Sequence, residues 1–166
     1  MANITLKNNP TSTSGNLPII GEQAKDFCLI GKDLKEVTLN DFHGERIVMN
    51  VFPSVDTGVC AISVKTFNEK AASLTNTKVL CISRDLPFAQ NRFCGVENIE
   101  NVLTLSDFAN GSFGKDYGLT IMDGALANLH SRCIVVLDEA HKIIHTEQVD
   151  EITQEPNYES ALAVLN

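Results

Sequence analysis

A change of hydrophobic period in the middle of the chain limits its fold more than any other feature. Arg46-Ile-Val-Met-Asn-Val-Phe52 is rich in β-branched and large apolar residues and too short for a buried helix, and Pro53 ends it. From Cys60 the period lengthens. Cys60, Val64, Phe67, Ala71 and Leu74 recur every three or four residues, with Lys65, Glu69 and Lys70 off the stripe. That pattern predicts an amphipathic helix of about four turns. Lys78-Val-Leu-Cys-Ile-Ser83 then returns to strand.

Elements of the same two kinds continue on either side. The first 15 residues read as a short hairpin with Asn8-Asn9-Pro10 as its turn, ending at Ser14-Gly15. Brief strands are expected at Phe27–Ile30, Val37–Leu39 and Val102–Leu105. Asp85-Leu-Pro-Phe88 reads as a turn into a short helical piece that carries Cys94 and ends at Gly95. Residues 111–118 are loop-rich, with room for one helical turn. Arg132–Leu137 and Lys142–Val149 form an antiparallel pair, and Tyr158, Ala161, Leu162 and Leu165 mark one face of a closing helix. This alternation gives an α/β protein with a central mixed sheet flanked by helices. A thioredoxin-like fold suits it best, although periodicity alone leaves other α/β folds open.

The 166 residues fit a single domain, 1–166, which buries roughly two-thirds of the surface its unfolded chain exposes. Such a core needs no disulfide or metal. A net charge of −8 without a basic cluster argues against nucleic acid, and no apolar run approaches the roughly 20 residues of a membrane helix. Residues 1–10 lack the basic and apolar regions of a secretory signal, so the expected location is cytoplasmic. Five cysteines (Cys28, Cys60, Cys81, Cys94 and Cys133), an odd number widely spread, make a poor disulfide framework. No Cys-x-x-Cys pair occurs, which removes zinc knuckles and thioredoxin-type redox motifs. No cofactor or metal is expected. If a cysteine matters, it matters by reactivity.

Cys60 is the candidate. It lies where a strand end meets a helix N-terminus, and the positive end of the helix dipole with its unpaired N–H groups favours thiolate over thiol. Thr57, three residues earlier, is placed either to donate to that thiolate or a bound peroxide oxygen, or to cap the helix. The two roles are compatible. Pro53 rigidifies the entry, and Gly58 offers conformational freedom. Position alone leaves Cys60 balanced between a reactive thiol and a buried structural one.

At this point a resemblance becomes specific. Pro53-x-x-x-Thr57-x-x-Cys60 resembles the peroxiredoxin active-site motif. The longer string from Phe52 through Cys60 to Ser63 is similar to the bacterial thiol peroxidase subfamily, as are Cys81 to Cys94 and Val149 to Tyr158. The resemblance spans essentially the whole chain. It implies a thiol-specific peroxidase that reduces hydrogen peroxide and organic hydroperoxides to water and alcohols in antioxidant defence. Cys60 would be the peroxidatic residue, with Thr57 and nearby backbone holding the peroxide and Arg132 supporting the developing charge. Cys94 would resolve the resulting sulfenic acid through an intrachain disulfide, thioredoxin would reduce it, and the protein would be a homodimer. Bridged cysteines need Cα atoms within about 7 Å, so the first turns after Cys60 and the segment around Cys94 are expected to unfold locally during turnover. A redox sensor signalling through Cys60 starts with the same chemistry. A plain thiol–disulfide oxidoreductase is disfavoured by the missing Cys-x-x-Cys.

Other residues have plainer readings. Cys28, Cys81 and Cys133 sit in apolar strands as core filler, and strand alternation turns Cys133 away from Arg132's side. His141 and His145 would lie about 13 Å apart on a strand, too far to share a metal, and read as solvated edge residues. Leu86, Pro87, Phe88, Ile121 and Met122 serve equally as an apolar rim for an organic hydroperoxide, as dimer contact or as core.

Overall fold

The computed structural model describes residues 1–166. Its strands are β1 (Asn3–Leu6), β2 (Asn9–Ser12), β3 (Cys28–Ile30), β4 (Glu36–Thr38), β5 (Arg46–Val51), β6 (Thr77–Ser83), β7 (Leu103–Ser106), β8 (Cys133–Leu137) and β9 (Ile143–Gln148). Its helices are α1 (Gly58–Ala71), α2 (Pro87–Glu97), α3 (Ser112–Asp116) and α4 (Tyr158–Ala163). β1 and β2 form a separate hairpin. The other strands make one mixed sheet in the order β4-β3-β7-β6-β5-β8-β9, with β5, β6 and β7 parallel and the remaining pairs antiparallel. The expected mixed α/β architecture is present.

Strand alternation divides the core into two layers. Ile47, Met49 and Val51 of β5 pack with Phe27, Leu29, Phe42, Phe113 and Tyr117 on one face. Val48 and Phe52 face the other way, toward Val64 and Phe67 of α1 and Ala161 of α4. Phe67 meets Tyr158 edge-on, with centroids 5.2 Å apart. Asn50 breaks this apolar layer beneath α1, where its Nδ2 donates to Ser63 Oγ at 3.2 Å. No helix is long and apolar enough to cross a membrane.

Several boundaries differ from expectation for local reasons. The hairpin turn is Lys7-Asn8, at φ 51° and 64°, the primed geometry that matches strand twist. Pro10 lies in β2 opposite Thr5, tolerated because Thr5 directs its own N–H and carbonyl away from β2, to Asp150 and Ile152, so this pair needs no N–H from Pro10. β4 and β7 are each shifted by a residue or so, and Leu39 opens a 3₁₀ turn in which Asp41 accepts from the Thr38 N–H at 2.8 Å. Leu74 lies beyond the end of α1 but still packs on the core. α2 starts at Pro87, whose missing N–H costs nothing in a first turn, and runs past Gly95 to a left-handed Asn98.

Two plainer readings are corrected. Cys28 is exposed: on this short strand Leu29 takes the inward position. His141 is buried in a turn at φ 58°, with Nε2 3.0 Å from the Phe42 carbonyl, rather than solvated on a strand. Of the five residues read as rim, dimer contact or core, Ile121 (packed with Ile4 and Ile152) and Pro87 are buried, which gives them the core role, and Leu86, Phe88 and Met122 are exposed.

Glu151 clasps the hairpin to the rest of the molecule. Its carboxylate accepts from the Lys7 and Asn8 N–H groups at 2.9 and 3.0 Å and from Thr5 Oγ1 at 2.7 Å. Those bonds, led by the one from Asn8, hold its pKa well below the usual carboxylate range. A depressed folded-state value means stability present above the unfolded value of about 4 and lost as pH falls through the folded one. Glu151→Ala should therefore lower the thermal midpoint at neutral pH, and the gap to the unsubstituted protein should narrow progressively below about pH 4. A gap independent of pH would mean that the carboxylate charge is not what holds the hairpin.

Candidate active site

β5 delivers the chain to the site. Phe52 donates its N–H to the Ile82 carbonyl at 3.2 Å, and the buried Pro53 then turns the backbone off the sheet. In the turn that follows, the Thr57 N–H donates to the Ser54 carbonyl at 3.2 Å. α1 begins at Gly58, which makes Cys60 its third residue, among the N–H groups that have no intrahelical acceptor. Gly58 itself uses none of its freedom, since its φ is not positive and a side chain there would meet open space.

Thr57 occupies the N-cap position with extended backbone, but its side chain makes no capping bond. Its Oγ1 lies 2.7 Å from Cys60 Sγ and 3.3 Å from the Ser54 carbonyl. The single hydroxyl proton therefore has its shorter path to sulfur. From the far side of the sequence, Arg132 immediately precedes β8 and sends its guanidinium under α1. Nη2 donates to Cys60 Sγ at 3.3 Å, Nε donates to the Ile152 carbonyl at 2.9 Å, and Nη1 is buried without a partner. Cys60 and Arg132 are 0% and 1% exposed. A buried cation needs a counter-charge, and the sulfur is the only group bonded to this guanidinium that can become an anion. A neutral hydroxyl and a cationic N–H thus converge on one sulfur at a helix N-terminus. The sulfur is closed off from solvent in this conformation, with exposed Thr57 above it.

Cys94 stands elsewhere. It is half-buried on α2, unbridged, and lines an open groove of about 660 Å³ with Lys32, Asn91 and Thr104. Burial pushes its thiol up, partly offset by the Thr104 hydroxyl and Lys32. Cys81 and Cys133 are fully buried, and burial pushes the Cys81 thiol to about 12 and Cys133 higher still. Cys133 packs in the layer opposite Cys60, as strand alternation requires. No cluster of side chains suited to a metal is present.

Sequence reasoning missed a carboxylate. Asp85 Oδ1 accepts from Ser54 Oγ at 2.6 Å, and Oδ2 accepts from the Val55 N–H at 2.9 Å and Ser83 Oγ at 2.6 Å. An aspartate shortly before a proline reads as a turn residue, and nothing in the sequence tells where its carboxylate points. Also unread was the buried pair His130 Nε2–Asp107 Oδ2 at 3.2 Å.

Comparison with known proteins gives the family. The Redoxin family model matches residues 19–162. A thiol peroxidase of Corynebacterium glutamicum is 51% identical over 166 residues, covering all of both chains. The chain belongs to the Redoxin family, among the thiol peroxidases of the peroxiredoxin type. Its structure superposes on a peroxiredoxin-like protein from Aquifex aeolicus with a TM-score of 0.92 at 37% identity, covering 99% of this chain and 96% of that one. A thiol peroxidase from Chromobacterium violaceum, at 19% identity, gives a TM-score of 0.91 over 98% and 94% of the two chains, which shows a common peroxiredoxin fold.

If the peroxiredoxin sulfur is the counter-ion of Arg132, removing that charge must be felt at the sulfur. Any thiolate ultraviolet absorbance of the reduced protein at neutral pH that disappears in Cys60→Ser should also be largely lost in Arg132→Gln. An unchanged signal in Arg132→Gln would separate the guanidinium from thiolate formation.

Proposed function

We propose that this thiol peroxidase reduces hydrogen peroxide and organic hydroperoxides through Cys60, resolves the product with Cys94, and is recycled by thioredoxin. The observation that carries the reading is the convergence of Thr57 Oγ1 and Arg132 Nη2 on Cys60 Sγ.

In this mechanism the Cys60 thiolate attacks the distal oxygen of ROOH along the O–O axis. The O–O bond breaks, sulfur becomes sulfenic acid, and the leaving alkoxide takes a proton to become ROH. Charge moves from sulfur to the leaving oxygen. Donors fixed beforehand around that path stabilise it without reorganisation. Thr57 Oγ1 supplies one, and the unpartnered Nη1 of Arg132 is free for a peroxide oxygen. Pro53 holds the turn and contributes no competing N–H.

Cys94 then condenses with the sulfenic acid, releasing water and forming the disulfide. The closed site implies that the first turn of α1 and part of α2 open for this step, since bridged cysteines need Cα atoms within about 7 Å. Burial favours the thiol form of Cys94 in the folded state, which limits its competition with Cys60 for peroxide. A reduced thioredoxin exchanges with the disulfide and restores both thiols. The reading also includes one domain spanning 1–166, a cytoplasmic location, and a homodimer. Exposed Leu86, Phe88 and Phe108, beside the Asp85 segment, support a dimer contact near the site.

Counting free thiols tests the assignment. One equivalent of hydroperoxide should remove two of the five thiols and yield a Cys60–Cys94 peptide on mass mapping. Cys60→Ser should consume no peroxide, and Cys94→Ser should complete one turnover and then stop. Sustained thioredoxin-supported cycling by Cys94→Ser would remove Cys94 from the mechanism. Thr57→Val should slow peroxide capture about ten- to a hundredfold, as expected for loss of a hydrogen bond to a charged group, while Thr57→Ser keeps most of the rate. Equal rates for Val and Ser would show that the hydroxyl is not used.

A further inference from the structure

One carboxylate holds both the turn leading to Cys60 and the helix carrying Cys94. Asp85 lies between β6 and α2, with Ser54 and Val55 bound to its oxygens as described. Ser83 Oγ, which donates to Asp85 Oδ2, accepts from Gln90 Nε2 at 3.1 Å, and Gln90 also donates to the Leu105 carbonyl at 2.9 Å. Ser83 and Gln90 are both buried. Gln90 precedes Cys94 by one helical turn on the same face of α2. At the other end, the Ser54 carbonyl receives the Thr57 N–H. A continuous run of bonds therefore joins the Thr57 turn to the Cys94 face of α2, and Asp85 is the charged member at its centre.

A second link between the same two elements is weak. Arg92 Nη2 lies 3.3 Å from Asp56 Oδ1, but the side chains are 65% and 64% exposed. Solvent screens such a pair and leaves it little effect. The Asp85 bonds are charge-assisted and partly shielded, so they decide whether turn and helix stay together.

We propose that Asp85 is a positioning residue for both halves of the catalytic cycle. With its bonds made, Thr57 is held over Cys60 for peroxide capture, and α2 is held in the arrangement that keeps Cys94 away. With its bonds broken, capture slows and the two sulfurs approach. Asp85 thereby sets how oxidised Cys60 divides between two fates. In one, the sulfenic acid and the Cys94 thiol form a disulfide and water. In the other, the sulfenate takes an oxygen from a second ROOH, giving sulfinate and ROH. This rests on the roles given above to Cys60 and Cys94.

Rapid mixing of reduced protein with hydroperoxide, followed by thiol quenching and mass analysis, reads the three quantities separately. In Asp85→Asn, capture should slow about tenfold and disulfide closure should quicken about tenfold, the scale of one lost charge-assisted bond. The sulfinate fraction in excess peroxide should fall accordingly. Ser54→Ala, which keeps the carboxylate and its other partners, should move all three in the same directions by a smaller factor. A merely structural role would change capture and closure in the same sense. That result, or no change in either rate, overturns the proposal while the Cys60–Cys94 disulfide still forms. Absence of that disulfide in the unsubstituted protein would overturn the role assignment and the proposal together.

Discussion

The buried guanidinium of Arg132 is the constraint from which the site follows. An uncompensated charge at such a position costs several kcal/mol, a large share of the 5–15 kcal/mol by which domains are typically stable. Its protein partners are one carbonyl and one sulfur. The fold must therefore keep the residue before β8 beneath the first turn of α1, across 72 residues of sequence. It does so by pairing β8 antiparallel with β5, the strand that leads into α1. The Ile152 carbonyl that fixes Nε belongs to the segment that the Glu151 clasp ties to the hairpin: Ile152 N–H donates to the Thr5 carbonyl at 2.9 Å. The small outer hairpin thus backs the arginine that meets the Cys60 sulfur.

What was legible in the sequence shares a physical basis. Elements showed where burial imposes a period: the run ending at Phe52, the stripe from Cys60 to Phe67, and the β8–β9 pair all carry an apolar face toward a core layer. Boundaries were less legible, because caps depend on single residues. Gly95 looks like a helix stop, yet Asn98 adopts the left-handed conformation that ends α2. Pro10 looks like a turn, yet the turn falls on Lys7-Asn8. Cys28 looks like core because cysteine usually is, and only the pairing of β3 with β4 shows it facing out.

The site was legible in its local half. Pro53, Thr57 and Cys60 lie close in sequence, and their geometry follows from a strand end, a turn and a helix start. Arg132 is invisible to that logic, since no periodicity tells which distant arginine enters; only the resemblance supplied it. Asp85 is further removed, because its importance lies in the partners of its oxygens. Long-range polar contacts leave no period, and a periodic reading passes over them.

Five thiols in one chain show how environment divides chemistry among identical groups. Cys81 and Cys133 lie in opposite core layers where desolvation keeps them protonated. Cys60, equally buried, differs by its donors rather than its burial. The proposed disulfide with Cys94 requires this well-held sulfur to come out, and α1 is held unevenly along its length. Its first turn rests on polar bonds, with Ser63 Oγ donating to the Cys60 carbonyl at 2.9 Å above the buried Asn50. Its later turns rest on Phe67 against Tyr158. Exposing a buried aromatic costs about 1.5–3 kcal/mol, whereas a polar contact remade with water costs about 1 kcal/mol or less. In the proposed cycle oxidation has by then removed the charge of Cys60, so unwinding from Gly58 breaks mainly polar contacts before it reaches Val64 and Phe67, where the cost rises. A helix held in this way can release its first turn and keep its core, which is what the proposed cycle asks of one segment, as a rigid pocket for peroxide and then as a mobile arm for the second thiol.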